Sequence, residues 1–241
     1  MKIVSWNCRI GFTKEKAKYI AKNNADIYVI QECTKKDVEE LKNFTIYSKW
    51  YGDNIDSSYG IAIFSNTYQI ELVEDFNKEY RYVIPFRIIK QDIIFILFAI
   101  WTKDKNIYNT KVEYTEHTWN AINNKNYEKY LLGPVIIIGD FNSNNKWDIK
   151  YKKNGKPSHN SIINKLKEYN IKSAYHYFYN EEDGNESFPT LLWKMNSNNK
   201  FHIDYCFISE NFRIINVEVE NIIKWENTKY SDHCALIIEL K

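Results

Sequence analysis

Short apolar runs alternate with polar segments along the whole chain, a pattern typical of many strands and a few helices. The predicted strands cover residues 2–6, 26–30, 59–65, 69–73, 80–88, 93–101, 134–138, 201–209, 213–219 and 235–240. Apolar residues at helical spacing predict helices over residues 14–22, 106–132 and 158–169. We expect residues 59–65 to pair with 69–73, and residues 80–88 to pair with 93–101, because each pair is close in sequence.

These elements predict an α/β fold in which two mixed β-sheets pack face to face under flanking helices. A length of 241 residues allows one large domain or two small ones. No internal repeat and no change in composition divides the chain, and Gly and Pro are too few for a long flexible linker. We therefore expect a single domain over residues 1–241, with the acidic segment 180–186 as a surface loop.

Polar residues gather at the points where the predicted strands begin or end, except that Asp204 lies inside the predicted strand 201–209. These residues are Asn7, Glu32, Asp140, Asn142, Asp204, Asp232 and His233. Strand ends are rigid, so side chains placed there can converge on one site. Taken one at a time, each of these residues is also an ordinary turn residue, and only their shared position favours a functional interpretation.

The residue types at these positions suit the hydrolysis of a phosphate ester. Glu32, Asp140 and Asp232 are carboxylates, which Mg²⁺ prefers as ligands while it keeps water positions for substrate phosphate. A carboxylate can orient His233, and the amide of Asn142 can position a water molecule or an oxyanion.

Composition and charge narrow the class of protein. A net charge of +2 and a pI of about 8.1 are too balanced to indicate nucleic-acid binding by themselves. The four cysteines form no C-x-x-C pair and lie in or beside apolar runs, as small buried residues do. No secretory signal is evident, and the apolar runs are about half the length needed to span a bilayer. We expect a cytoplasmic protein with no membrane span and no obligate protein partner.

Five short motifs follow one another from residue 5 to residue 233. They are S-W-N-C at 5–8, I-Q-E at 30–32, I-G-D-F-N at 138–142, H-I-D-Y at 202–205 and S-D-H at 231–233. In this order they resemble the motifs of the endonuclease/exonuclease/phosphatase superfamily, which includes DNase I and exonuclease III. The resemblance covers nearly the whole chain and implies a four-layer α/β sandwich of the DNase I type. Other short features resemble a group of short bacterial members that have no defined substrate.

The resemblance also implies a metal site. Glu32 is similar to the main metal ligand of the family, Asn7 to the residue beside that metal, and Asp232 to a further carboxylate on the metal side. The implied cofactor is Mg²⁺, with Mn²⁺ as an alternative.

The remaining motif residues imply catalytic roles by the same resemblance. Asp140 is similar to the acid that aligns or deprotonates the attacking water, and Asn142 to the residue that positions phosphate and water. His233 is similar to the histidine that contacts the scissile phosphate, and Asp204 to the acid that orients it. The implied reaction is in-line attack of water on phosphorus.

Three positions are candidates for substrate binding. Many family members have His or Tyr where this chain has Trp101, whose indole can stack on a base or simply pack in the core. His202 replaces the Arg that is usual before the Ile-Asp pair, and either touches substrate or packs. Asn54 lies in a Gly-Asp-Asn turn and could reach phosphate, although such a turn needs no function.

The sequence leaves three functions open. The first is a metal-dependent nuclease acting on DNA or RNA, which the aromatic and Lys-rich composition favours modestly. The second is a phosphatase or phosphodiesterase for a small phosphorylated molecule such as a nucleotide or an inositol or lipid headgroup. The third is a degenerate site in a binding module. The expected partner is accordingly nucleic acid or a small phosphate ester.

Overall fold

The computed structural model describes residues 1–41, 43–52, 58–104, 112, 114–149, 154–196, 198–221 and 230–241. Its strands are β1 (Lys2–Asn7), β2 (Ile27–Thr34), β3 (Tyr47–Tyr51), β4 (Tyr59–Ser65), β5 (Gln69–Leu72), β6 (Val83–Lys90), β7 (Ile93–Trp101), β8 (Val135–Asp140), β9 (Lys172–Ser173), β10 (Leu191–Leu192), β11 (Lys200–Phe201), β12 (Asp204–Ile208), β13 (Ile214–Val219) and β14 (Leu236–Leu240). The α-helices are α1 (Lys14–Ala21), α2 (Lys35–Glu40), α3 (Thr115–Ile122), α4 (Lys125–Leu131), α5 (His159–Lys167) and α6 (Ala174–Tyr179). None of these described helices has the length and apolar character that crossing a membrane requires.

The strands form two mixed six-stranded sheets and one small hairpin of β10 and β11. The first sheet has the order β13-β14-β1-β2-β4-β3, and only β1 and β2 run parallel in it. The second sheet has the order β5-β6-β7-β8-β12-β9, and only β7 and β8 run parallel in it. Two mixed sheets flanked by helices confirm the predicted fold class.

The apolar core lies on both faces of the second sheet. Ile136 and Ile138 pack in a core cluster with residues of the first sheet, whereas Val135 and Ile137 pack with α3, α4 and α5. This alternation is the period of two that a strand imposes on its side chains. Asp140 continues the series of Ile136 and Ile138, so its carboxylate lies on the face between the two sheets.

The predicted pairing of residues 59–65 with 69–73 is wrong. β4 pairs with β2 and β3 in the first sheet, and β5 pairs with β6 in the second. The turn at Ser65 accounts for the crossing, because Ser65 Oγ donates to Asp26 O and accepts from the amides of Thr67 and Tyr68. These bonds end β4 and direct the chain toward the other sheet. The other predicted pair, now β6 and β7, is confirmed.

The predicted helix over 106–132 is two helices in its described part, while residues 105–111 and 113 lie outside the described residues. Asn124 separates the two helices: it has extended backbone angles, and its side chain accepts from the amide of Asn126 to begin α4. The acidic segment 180–186 is only partly a surface loop. The Glu186 side chain is 3% exposed and accepts from His176 and from the amide of Gly184.

All four cysteines are buried, as the sequence predicts, and each is a free thiol. Burial raises the pKa of the Cys8, Cys33, Cys206 and Cys234 thiols above the ordinary value, which keeps these groups protonated and unreactive. They act as small apolar residues of the core.

Candidate active site

The ends of the central strands of both sheets meet at one edge of the sandwich. Asn7 is the last residue of β1 and Asp140 the last of β8. Asp204 is the first residue of the antiparallel strand β12, where it lies directly opposite Asp140. His233 comes just before β14 and forms an isolated bridge with Leu191. The topology therefore brings together residues that are far apart in the sequence.

Asp140 is the most buried carboxylate of this group, with no exposed surface. Its Oδ2 accepts from Asn7 Nδ2 at 2.9 Å and from Asn142 Nδ2 at 2.8 Å, and its Oδ1 accepts from the amide of Asn142 at 2.9 Å. Asn142 Nδ2 also lies 3.0 Å from Thr102 O, on the neighbouring chain segment. The carboxylate is thus held in one orientation by two amide side chains.

Asn7 connects Asp140 to Glu32. Asn7 Nδ2 also donates to Glu32 Oε1 at 3.0 Å, and Asn7 Oδ1 accepts from the amide of Arg9 at 3.0 Å. Glu32 sits at an irregularity in the pairing of β2 with β4 and has a positive φ of 60°. An extra residue at this point turns a side chain out of the regular alternation of the strand. The Glu32 carboxylate consequently reaches the edge where Asn7 lies.

His233 and Asp204 form a buried pair. His233 Nδ1 donates to Asp204 Oδ2 at 2.9 Å, and His233 Nε2 lies 4.0 Å from Asp140 Oδ2. The main chain of His233 is held on both sides, since its amide donates to Ser231 Oγ and its carbonyl accepts from Trp6 Nε1. Nδ1 is therefore directed at Asp204, and Nε2 is directed toward Asp140.

The two ionisable groups at the centre have shifted pKa values. Burial raises the pKa of Asp140 to about 7, although the charge of His233 opposes the shift. Burial by itself lowers the pKa of His233, but the charges of Asp204 and Asp140 outweigh it and raise the pKa to about 10. At neutral pH the imidazole is cationic, and Asp140 is close to the point at which it exchanges a proton.

Two sets of side chains could hold a cation at this edge. Atoms of Asp140, Asp204 and His233 lie within 4.8 Å of one another, but the imidazole proton already bonds Asp204, which makes this set a poor cation site. The second set is Glu32, Asn7 and Asp232. Each oxygen of Glu32 accepts a single N–H in the described structure and keeps acceptor capacity, because a carboxylate oxygen has two lone pairs.

Asp232 lies near the end of β1 on the same edge. Ser231 Oγ donates to the carbonyl of Asn7 at 2.7 Å, and the partly exposed Asp232 carboxylate lies 3.8 Å from Arg9 Nε. Two carboxylates and one amide side chain are an oxygen-rich donor set, of the kind that hard divalent cations prefer. The residues of the second set therefore fit such a cation.

Trp101 lies directly opposite Asp140 on the parallel pair of β7 and β8, but only 4% of it is exposed. The ammonium of Lys103 lies 3.9 Å from the centre of the indole ring. Trp101 therefore offers little surface for stacking on a base. It is a packed residue whose ring forms a cation–π contact with Lys103.

His202 is also buried, at 3% exposure, and its Nδ1 donates to the carbonyl of Phe188 at 2.7 Å. It borders a cavity of about 190 Å³ whose rim includes Lys146 and Lys200. Asn54 lies outside the described residues. Neither Trp101 nor His202 presents an open side chain to a substrate.

The structure adds Thr190 to the residues around the site. Its hydroxyl oxygen accepts from the amides of Ile203 and Asp204 at 3.0 and 3.1 Å, and the side chain is fully buried. Thr190 therefore fixes the start of β12, where Asp204 lies. No local pattern in the sequence marks this threonine, because its partners are thirteen and fourteen residues away.

The chain is similar to one protein family and to solved structures of other proteins. The model of the family described as "Endonuclease/Exonuclease/phosphatase family" matches residues 4–233. No curated protein matches the chain. Among solved structures, the 3′ phosphatase NExo from Neisseria, solved with a product DNA hairpin, is similar at 16% identity and a TM-score of 0.63, covering 100% of this chain and 99% of that one. The catalytic domain of Xenopus laevis APE2 is similar at 17% identity and a TM-score of 0.66, covering 100% and 92%.

Proposed function

Because the chain belongs to the endonuclease/exonuclease/phosphatase family, we propose that it is a divalent-metal-dependent hydrolase that cleaves phosphodiester bonds of nucleic acid. Membership in this family supports a phosphate-ester hydrolase. The assignment of roles to individual residues is the finer part of the proposal, and it rests on the geometry of the site.

One observation carries the proposal. Asp140 is bonded to Asn7 and Asn142, and it faces His233, which is bonded to Asp204. A buried acid and a cationic imidazole, each held by a second group, are the parts needed to activate water and to bind a phosphoryl group. A structural role alone would not require so many polar groups at the junction of two sheets, where burial of polar groups is costly.

Asp140 is the general base in this scheme. Its raised pKa, about 7, lets the carboxylate accept a proton from water near neutral pH, and proton transfer is most efficient when the pKa lies near the working pH. The amide nitrogens of Asn7 and Asn142 hold the carboxylate in place, so that the lone pair that accepts the proton has a fixed direction.

His233 binds the phosphoryl oxygens. Asp204 accepts a hydrogen bond from Nδ1–H of His233, and its negative charge keeps the imidazole protonated. The Nε2–H group can then donate to an oxygen of the substrate. A fixed cation stabilises the negative charge that accumulates on these oxygens as water attacks, and it requires no reorganisation at that moment. Asn142, whose Nδ2 donates to Asp140 Oδ2 and to Thr102 O, keeps the base in place for the attacking water.

Glu32, Asn7 and Asp232 would hold the divalent cation. When bound, Mg²⁺ or Mn²⁺ supplies positive charge to the phosphoryl oxygens and lowers the pKa of water. The Asn7 side chain donates from Nδ2 to both Glu32 and Asp140. It therefore links the proposed cation ligands to the proposed general base.

Nucleic acid is the proposed substrate class. NExo, whose structure was solved with a product DNA hairpin, has the same fold over the whole of this chain. Lys146 and Lys200 line the cavity that His202 borders and add positive charge there, while Glu186 lines the same cavity. Hydrolysis of small phosphate esters is the alternative outcome of the test below.

The test is turnover by the purified chain with Mg²⁺, Mn²⁺ or EDTA. Substrates are plasmid DNA, single-stranded DNA, RNA, 3′-phosphorylated DNA, nucleotides, inositol phosphates and a chromogenic phosphodiester. We expect metal-dependent cleavage of a polynucleotide and at least a 100-fold loss in Asp140→Asn, which keeps the shape of the side chain and removes the base.

Asp92→Asn is the matched control, because Asp92 is an exposed acid in the turn between β6 and β7. It should retain wild-type turnover. Release of phosphate from small esters only would replace the nucleic-acid substrate with a small phosphorylated molecule. Equal activity of Asp140→Asn and Asp92→Asn would remove Asp140 from the mechanism.

A further inference from the structure

Residues 9–11 form a loop beside the proposed cation site, and all three have positive φ. The φ angles are 49° at Arg9, 54° at Ile10 and 92° at Gly11. Only glycine adopts this region readily, and a β-branched residue such as Ile10 is strained there. The Ile10 side chain is 64% exposed, so its own packing does not hold the loop in this conformation. Other contacts must therefore stabilise the loop.

The carbonyl groups of this loop converge on the ammonium of Lys16. Lys16 Nζ donates to Cys8 O at 2.6 Å, to Arg9 O at 2.8 Å and to Gly11 O at 2.9 Å. An ammonium group has three donors, and all three are used. Lys16 itself is anchored in the first turn of α1, where its amide donates to the N-cap residue Thr13.

The amide groups of the same loop point toward the proposed cation ligands. The Arg9 amide donates to Asn7 Oδ1 at 3.0 Å, and the Ile10 amide donates to Glu32 Oε2 at 3.0 Å. The Gly11 amide donates to the carbonyl of Glu32 at 2.8 Å. Of the three peptide groups that Lys16 holds by the carbonyl, Cys8–Arg9 and Arg9–Ile10 donate their N–H groups to Asn7 Oδ1 and Glu32 Oε2, and so orient both ligands.

We propose that Lys16 is a positioning residue that sets the cation affinity of Asn7 and Glu32 by holding the loop of residues 9–11. The inference rests on the proposed function, because it concerns the cation side of the same site. Groups that orient metal ligands without touching the metal commonly change its affinity by 10–100-fold. Lys16 contacts neither Asp140 nor His233 by a hydrogen bond in the described structure, so its effect should fall on cation binding rather than on the chemical step.

The experiment is titration of the metal-free full-length chain with Mn²⁺, followed by the electron paramagnetic resonance of the free ion. Lys16→Met keeps most of the aliphatic stem and removes the three hydrogen bonds. We expect the Kd for Mn²⁺ to rise at least 10-fold, and hydrogen exchange at the Ile10 amide to become faster. At saturating Mn²⁺, kcat should stay within a few-fold of wild type.

Lys18→Met is the matched control, since Lys18 lies on the exposed face of the same helix, and it should bind Mn²⁺ with the wild-type Kd. Lys16→Arg should restore affinity only in part, because a planar guanidinium cannot direct donors at three carbonyls that surround one point. Should Lys16→Met not fold, Lys16→Gln keeps an amide donor for the loop and should show an intermediate Kd.

The wild-type Kd in a folded Lys16→Met or Lys16→Gln variant would overturn the inference and leave the proposed function intact. Failure of the wild-type chain to bind Mn²⁺ would overturn both. These two results are distinguished by the wild-type titration alone.

Discussion

Asn7 is the residue through which the two sides of the proposed site contact each other. Its side-chain nitrogen Nδ2 lies within 3.0 Å of both Glu32 Oε1 and Asp140 Oδ2. Glu32 belongs to the first sheet and Asp140 to the second. A substitution at Asn7 would therefore disturb the cation side and the base side together. A substitution at Asp204 tests a single contact, because the Asp204 side chain bonds only His233 among the proposed site residues in the described structure.

Asp204→Asn should lower kcat by at least 100-fold. The asparagine keeps the size of the side chain but removes the largest of the charges that raise the pKa of His233, so the pKa falls and less of the imidazole is cationic. Steady-state turnover of the best substrate at saturating Mg²⁺ measures the effect, with circular dichroism to verify the fold.

Glu210→Gln is the control for this change, because Glu210 is an exposed acid shortly after the same strand. It should leave kcat unaltered. A fully active Asp204→Asn variant would show that His233 does not need the carboxylate.

At the scale of elements, β8 has to lie unusually close to β7. Gly139 precedes Asp140 and has a φ of 142°, and a Cβ built on it would lie 2.1 Å from the carbonyl oxygen of Ile100. No other residue type can adopt this conformation without strain. The glycine thus allows Asp140 to reach its position opposite Trp101 and Asp204.

Gly139→Ala should lower the free energy of unfolding by about 3 kcal/mol or more, because neither the backbone of β8 nor that of β7 can move away easily. Urea unfolding monitored by fluorescence measures this loss. Gly133→Ala provides the comparison, since a Cβ there meets no atom within 4 Å, and it should change the stability by less than about 0.5 kcal/mol. Equal stability of the two variants would refute the close approach.

On the scale of the whole molecule, a second group of buried polar residues lies outside the proposed site. His159 is fully buried at the start of α5, with its Nδ1 2.8 Å from Ser143 Oγ. Burial lowers its pKa from 6.5 to about 3. Between pH 6.5 and about pH 3, His159 therefore binds a proton in the unfolded chain but not in the folded chain.

The stability of the fold should fall as the pH decreases from about 6.5 toward 3, because the unfolded state binds more protons over this range. Above pH 6.5 the contribution of His159 to stability is constant. His159→Gln cannot be protonated and should have a flatter stability profile on the acid side. Urea unfolding at pH 7.5 and pH 4.5 measures the difference, and parallel losses in both proteins would exclude His159 as a source of the acid sensitivity.

The sequence by itself determined the fold class and most of the strands. A continuous apolar run such as residues 135–138, entered through Gly133 and Pro134, predicts a strand that is buried on both faces, and such a run is a local property of the sequence. The ordered motifs also indicated Asn7, Glu32, Asp140 and Asp204 as candidates, and the first three follow apolar runs while Asp204 lies inside a predicted strand. Their meeting at one edge agrees with that expectation.

Apart from the pairing of β6 with β7, only the tertiary structure decided which strands pair and what lies around each candidate. The turn at Ser65 directs β5 to the second sheet through a bond with Asp26, a residue 39 positions earlier. The burial of Trp101 and the contacts of Thr190 depend on neighbours that come from distant parts of the chain. Such contacts are set by packing across the whole molecule, so no local pattern of residues predicts them.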